Sequence, residues 1–134
     1  MAPKISVCIP TYEYAHYIPF AIESILSQRF ADFELIIVDD CSRDNTGEVV
    51  RRFQYDKRVL FERNERNLGL VANWNKCLAV AKGEYMKFVF ADDMLASNEA
   101  LGRMRFSLSN KIQAAPATYV TTFSKYLTGL CISS

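Results

Sequence analysis

Two pairs of adjacent carboxylates, Asp39-Asp40 and Asp92-Asp93, are the residues of this chain whose type and spacing best suit chemistry. Each follows an apolar run that reads as a buried strand: Glu34-Leu35-Ile36-Ile37-Val38 before the first pair, and Tyr85-Met86-Lys87-Phe88-Val89-Phe90-Ala91 before the second. Both pairs should emerge at the carboxyl ends of strands, where open α/β sheets bind ligands. Four like charges at one rim are costly unless cations or hydrogen-bond donors sit among them. A divalent metal carrying a nucleotide diphosphate meets that need, because Mg²⁺ and Mn²⁺ favour oxygen ligands and bind through one or two carboxylates plus phosphates. Asp92-Asp93 suits that role.

No glycine loop competes for the phosphates. A dinucleotide-binding unit needs G-x-G-x-x-G after its first strand, and the turn here is Pro10-Thr11-Tyr12-Glu13-Tyr14-Ala15-His16. The G-x-x-x-x-G-K-[ST] loop of the phosphate-loop NTPases is absent too. A phosphoryl-receiving signalling domain would carry its acidic pair after the first strand, where Pro10-Thr11-Tyr12 stands instead. His16, the only histidine, lies in a polar loop and reads as solvated rather than as a base.

The elements that must position these residues alternate regularly. Strands are expected at Ile5 to Ile9, ended by Pro10, then at Leu35 to Val38, Arg58 to Glu62 and Glu84 to Ala91. Between them lie helical patterns from Tyr17 to about Gln28, around Val49, Val50 and Phe53 with Asn45 or Asp44 as cap, and through Val71, Trp74, Cys77, Leu78 and Ala81. Gly83 reads as a helix stop, and a further helix begins near Ser97 or Asn98 with Leu101 and Met104 inward. Such strand–helix repeats imply an α/β fold, a mainly parallel sheet with helices on both faces. Beyond Ser107 the pattern becomes irregular, with one more strand expected between Ala117 and Phe123.

Composition narrows the partners. The chain has 134 residues, 50% hydrophobic and 23% charged, which suits one globular domain with a real core. A net charge of +1 with scattered Lys and Arg gives no basic stripe, so no nucleic-acid partner is expected. Cys8, Cys41, Cys77 and Cys131 lie far apart with no C-x-x-C, which favours a reducing compartment. No apolar run approaches the roughly 18–20 residues that span a bilayer, and no signal-peptide core precedes the first strand. The expected location is cytoplasmic, touching a membrane surface only through a partner or substrate.

Several segments, in order, resemble a known family. Ile5-Ser6-Val7-Cys8-Ile9-Pro10-Thr11-Tyr12, Ala21 to Gln28, Phe33 to Ser42, Asn67-Leu68-Gly69, Ala81 to Tyr85 and Ala91-Asp92-Asp93 are similar to the amino-terminal half of the family 2 glycosyltransferases. These are inverting, sugar-nucleotide-dependent enzymes with the Rossmann-like GT-A fold. The resemblance covers Pro3 to about Phe106 and implies a nucleotide-sugar-binding domain over residues 1–106, with 107–134 as an atypical tail or the start of an acceptor half. It implies that the loop Pro10-Thr11-Tyr12-Glu13 lines the nucleotide, Tyr12 stacking on the base. By the same resemblance Asp40 accepts a hydrogen bond from the base, Asp92 faces the ribose, and Asp93 binds the Mn²⁺ or Mg²⁺ that bridges the phosphates.

Structural readings stand beside these. Asp39 suits a loop cap or a partner for Arg43, Tyr12 a packing aromatic and Trp74 a core residue; Asn73 and Asn75 suit an exposed helix surface, with a reach of one of them into the loop network as the alternative, and Lys87 either reaches a phosphate or marks an edge. Inverting transfer also needs a general base to deprotonate the acceptor hydroxyl, and no acidic residue follows Glu99. Two functions remain expected: a glycosyltransferase, or its donor-binding half, acting on a glycan, lipid or other hydroxyl acceptor, and a non-catalytic nucleotide-sugar-binding module.

Overall fold

The computed structural model describes residues 2–109 and 131–132. The elements run β1 (Ile5–Thr11), α1 (Ile18–Leu26), β2 (Phe33–Asp39), α2 (Thr46–Arg51), β3 (Val59–Arg63), α3 (Leu70–Val80), β4 (Tyr85–Phe88), β5 (Met94–Leu95), α4 (Ala100–Ser109) and β6 (Cys131–Ile132). Four strands form a parallel sheet in the order β3-β2-β1-β4, while β5 and β6 make a separate antiparallel pair. The strand expected between Ala117 and Phe123 lies outside the described residues. No helix among the described residues is long and apolar enough to cross a membrane.

Strand order dictates where the helices go. Crossovers between parallel strands are right-handed, so stepping outward from β1 to β2 to β3 sets α1 and α2 on one face. Returning from β3 to β4, on the other side of β1, sets α3 on the opposite face. Side chains alternate along each strand accordingly. Ile5, Val7, Ile9, Leu35 and Ile37 pack with Ile18, Ile22 and Ile25 of α1, Val49 and Val50 of α2, and Leu101 and Met104 of α4. Cys8, Ile36, Val38 and Met86 face Cys77 of α3. Every residue of β1 and β2 is buried, as central strands covered on both faces should be.

Several local expectations change. Pro10 does not end β1, which continues to Thr11 with Pro10 in register with Val38. Pairing with β4 stops at Cys8 and Phe88, so the missing N–H of Pro10 falls where that ladder has already ended. β4 is shorter than its apolar run: it closes at Phe88, and residues 89–93 form the approach to a turn. Gly83 stops no helix, since Ala81 already takes an extended conformation as the cap of α3. It is small because β1 passes beside it: an added Cβ would lie 2.5 Å from the Ser6 nitrogen. The Gly83 N–H donates to Ser6 Oγ at 2.7 Å, and that hydroxyl donates to buried Glu34 at 2.6 Å.

Candidate functional site

Parallel pairing brings all four carboxyl strand ends to one rim, and its last row is Thr11, Asp39 and Arg63 in register across β1, β2 and β3. Tyr12, Asp40 and Asn64 follow immediately. The order reverses between β1 and β4, the switch point at which such sheets open a crevice. The Tyr12 loop leaves β1 on one side of it, and the chain to Asp92-Asp93 leaves β4 on the other.

Asp39 is fully buried and organises the loop behind the rim. It accepts hydrogen bonds from the backbone N–H of Ser42 at 3.2 Å and from the Ser42 hydroxyl, and it pairs with Arg63 Nε at 3.3 Å. The partner is thus Arg63, one strand over in register, rather than Arg43. Ser42 Oγ in turn accepts the Glu13 N–H at 2.7 Å, which ties the loop after β1 to the loop after β2. Glu13 (φ 58°) and Cys41 (φ 62°) both adopt the left-handed conformation that L-residues rarely take, each directly after a rim residue. Such outliers cluster at ligand sites. Thr11 is buried and its Oγ1 has no partner among the described residues; Tyr12, Glu13 and His16 are exposed.

Asp40, next along the rim, is held by three donors. It is 3% exposed, and its Oδ1 accepts from Asn64 Nδ2 and from the Leu68 N–H, both at 2.8 Å. Oδ2 accepts the Gly69 N–H at 2.9 Å. Gly69 has φ 89° and ψ 165°, a region essentially reserved for glycine, so its residue type is what allows that N–H to point at the carboxylate. An ionised carboxylate offers about four acceptor positions, which leaves roughly one open, on Oδ2.

Behind Asp40 lies a relay that the helical pattern of the sequence did not disclose. Asn64 donates also to Asn73 Oδ1 at 2.9 Å, Asn73 donates to the Val38 carbonyl at 3.0 Å, and Lys76 donates to Asn64 Oδ1 at 2.8 Å. Of Asn73 and Asn75 it is Asn73 that leaves the helix surface and joins the loop network, buried, whereas Val71, expected inward, is exposed. The inward position goes to the amide because the end of β2 presents a carbonyl for it to satisfy. Trp74, expected in the core, is half-buried outside both hydrophobic clusters and packs against half-buried Phe88 and exposed Phe90, with ring centroids at 6.0 and 5.4 Å.

Asp92-Asp93 occupies a turn closed by the Asp93 N–H on the Phe90 carbonyl at 2.9 Å, so the pair stands beyond the end of β4 rather than directly on it. Asp92 is exposed and Asp93 half-buried. Partial burial, and then the charge of Asp92, raise the Asp93 carboxyl above the usual carboxylate range; the Lys87 ammonium, buried within β4, opposes that rise. A cation beside Asp93 would relieve both effects, so the pair fits a divalent metal held by one or two carboxylates plus ligand phosphates. Among the described residues no group of three or more His, Cys, Asp or Glu side chains could hold a metal alone.

The sequence profile of glycosyl transferase family 2 matches residues 6–122. GlyG of Streptococcus pneumoniae, a glycosyltransferase, is 38% identical over 99 residues, which cover 73% of this chain and 33% of that protein. The UDP-Glc:α-D-GlcNAc-diphosphoundecaprenol β-1,3-glucosyltransferase WfgD of Escherichia coli is 32% identical over 115 residues, covering 86% and 45%. The Staphylococcus aureus TarS structure in complex with UDP-GlcNAc superposes with a TM-score of 0.75 at 29% identity, over 87% of this chain and 36% of that one. A mannosyltransferase of Pyrobaculum calidifontis, with GDP-Man and Mn²⁺, shares the fold at a TM-score of 0.74 and 24% identity. The chain spans less than half the length of each of these relatives. By the extent of the profile match and the GT-A architecture of its sheet, the chain belongs to glycosyl transferase family 2.

Proposed function

We propose that this chain supplies the donor site of a metal-dependent glycosyltransferase that moves a sugar from a nucleoside diphosphate to a hydroxyl acceptor. The observation that carries this reading is the switch point, flanked by the Tyr12 loop on β1 and the Asp92-Asp93 turn on β4. In it the loop Pro10-Thr11-Tyr12-Glu13 borders the nucleotide, with the exposed Tyr12 ring stacked on the base, an interaction that contributes about 1–3 kcal/mol. The open acceptor on Asp40 Oδ2 takes a base N–H, which favours uracil and guanine, whose Watson–Crick edges carry an imino N–H. The free hydroxyl of Thr11 faces a polar atom of the same ligand, Asp92 meets the ribose, and Asp93 holds Mn²⁺ or Mg²⁺. Such a cation supplies Lewis-acid neutralisation of the departing diphosphate.

The uridine donors named for TarS and WfgD support the base assignment, and the diphosphoundecaprenol acceptor named for WfgD supports a lipid-linked or glycan acceptor, and with it work at a membrane surface. Residues 1–106 constitute the donor-binding domain in this reading. No residue is assigned as general base. A second reading, a module that binds the sugar nucleotide without turnover, shares the same donor site. Calorimetric titration with UDP and GDP, with and without Mn²⁺, tests the shared claim: Mn²⁺-dependent binding is expected, and its absence for both nucleotides would sink both readings. Acceptor-stimulated release of UDP from UDP-sugars then separates them.

A further inference from the structure

The Asn64 side chain sits at the meeting point of three groups, and their chemistry leaves it one orientation. The Lys76 ammonium only donates, whereas the Asp40 carboxylate only accepts. Asn73 is fixed independently, because the Val38 carbonyl only accepts and therefore claims its NH₂ group, leaving the Asn73 oxygen toward Asn64. The Asn64 oxygen must then face Lys76 and its NH₂ must face Asp40 and Asn73. A flipped amide would set oxygen against oxygen at two contacts and NH₂ against an ammonium at a third.

We propose that Asn64, held by Asn73 and Lys76, is a positioning residue for base recognition: it occupies Asp40 Oδ1 so that the one acceptor left open is on Oδ2, at a fixed angle to the crevice. Without it the carboxylate keeps its two backbone donors, from Leu68 and Gly69, but gains a second free acceptor and loses the side-chain bond that fixes the plane of the carboxylate. This rests on the proposed role of Asp40 in reading a base N–H. Asn64 itself is 4% exposed and is assigned no contact with the ligand; its effect passes through Asp40.

The discriminating quantity is a ratio. UDP and 3-methyl-UDP differ only in whether N3 carries a proton or a methyl group, so their relative affinity reports the base N–H contact and is insensitive to general loosening of the site. Titrating the full chain in Mn²⁺, we expect UDP to bind tighter than 3-methyl-UDP by about tenfold or more, the range of a hydrogen bond to a charged acceptor. In Asn64→Ala that ratio should fall to within about threefold of unity while a cooperative thermal transition persists. If Asn64→Ala does not fold, Asn73→Ser removes the same support one step further back and is read by the same ratio. A chain that binds GDP but not UDP is read by the ratio of GDP to 1-methyl-GDP instead; a wild-type ratio near one, or no binding of either nucleotide, would overturn both the base-reading role of Asp40 and this inference. A large wild-type ratio that survives in the folded variant would overturn the inference alone.

Discussion

Asp93 is the rim carboxylate whose loss should separate binding from folding. It stands in a turn outside both hydrophobic clusters, so Asp93→Ala is expected to abolish Mn²⁺-assisted UDP binding while leaving the thermal transition within a few degrees of the parent. Calorimetry and a melting curve on the same sample check both halves. A second residue-scale expectation concerns Asp56. Its hydrogen bonds and ion pair with Arg58, the latter at 2.7 Å, lower its carboxyl below the usual value. The contribution is therefore present above about pH 4, where the unfolded carboxyl is ionised, and disappears as pH falls through the lower folded value. Asp56→Asn should cost about 0.2–1 kcal/mol in denaturant unfolding at pH 7, and the difference should vanish in acid. At this scale the sequence disclosed the carboxylate pairs, because adjacent acidic residues after an apolar run are conspicuous. It hid the partner of Asp39, since register across strands, not proximity in the chain, sets Arg63 beside it.

Elements were legible wherever the apolar period was undisturbed. The alternation of strands and helices, the parallel sheet and the inward faces of α1 and α4 all follow from spacing alone. The misreadings share one physical origin, a tertiary neighbour that overrides a local signal. Pro10 stays within β1 because β4 stops short of it; α3 turns Asn73 inward because Val38 needs a donor; β4 ends before its apolar run does. Gly83 makes the point testable. Were it only a helix stop, alanine would be tolerated, whereas the nearness of the Ser6 backbone makes Gly83→Ala an overpacking change expected to cost about 1–3 kcal/mol. Chemical denaturation measures it, and an unchanged midpoint would return Gly83 to its sequence-based role.

For residues 1–134 taken alone, the expectation is a donor site with little transfer of its own. General acid–base help typically contributes about 10²–10⁴-fold, and no carboxylate among the described residues is assigned to take a proton from an acceptor. Incubated with UDP-sugars, Mn²⁺ and candidate hydroxyl acceptors, the chain should release UDP slowly and without acceptor stimulation. Robust stimulated turnover would direct the search for a base to Glu13, Asp39, Glu99 or His16.

The strand order also has a consequence for how the protein is made. Ile5 pairs with Tyr85, so β1 receives its second neighbour only after eighty more residues have been added. At about 5–20 residues per second that interval lasts roughly 4–16 s. Throughout it β1, the most completely buried strand of the finished sheet together with β2, presents bare N–H and C=O groups along the side that β4 will cover. The nascent chain thus stays open to mispairing along that edge until β4 arrives, and the crevice between β1 and β4, which needs residues from both sides of the same gap, cannot form before then.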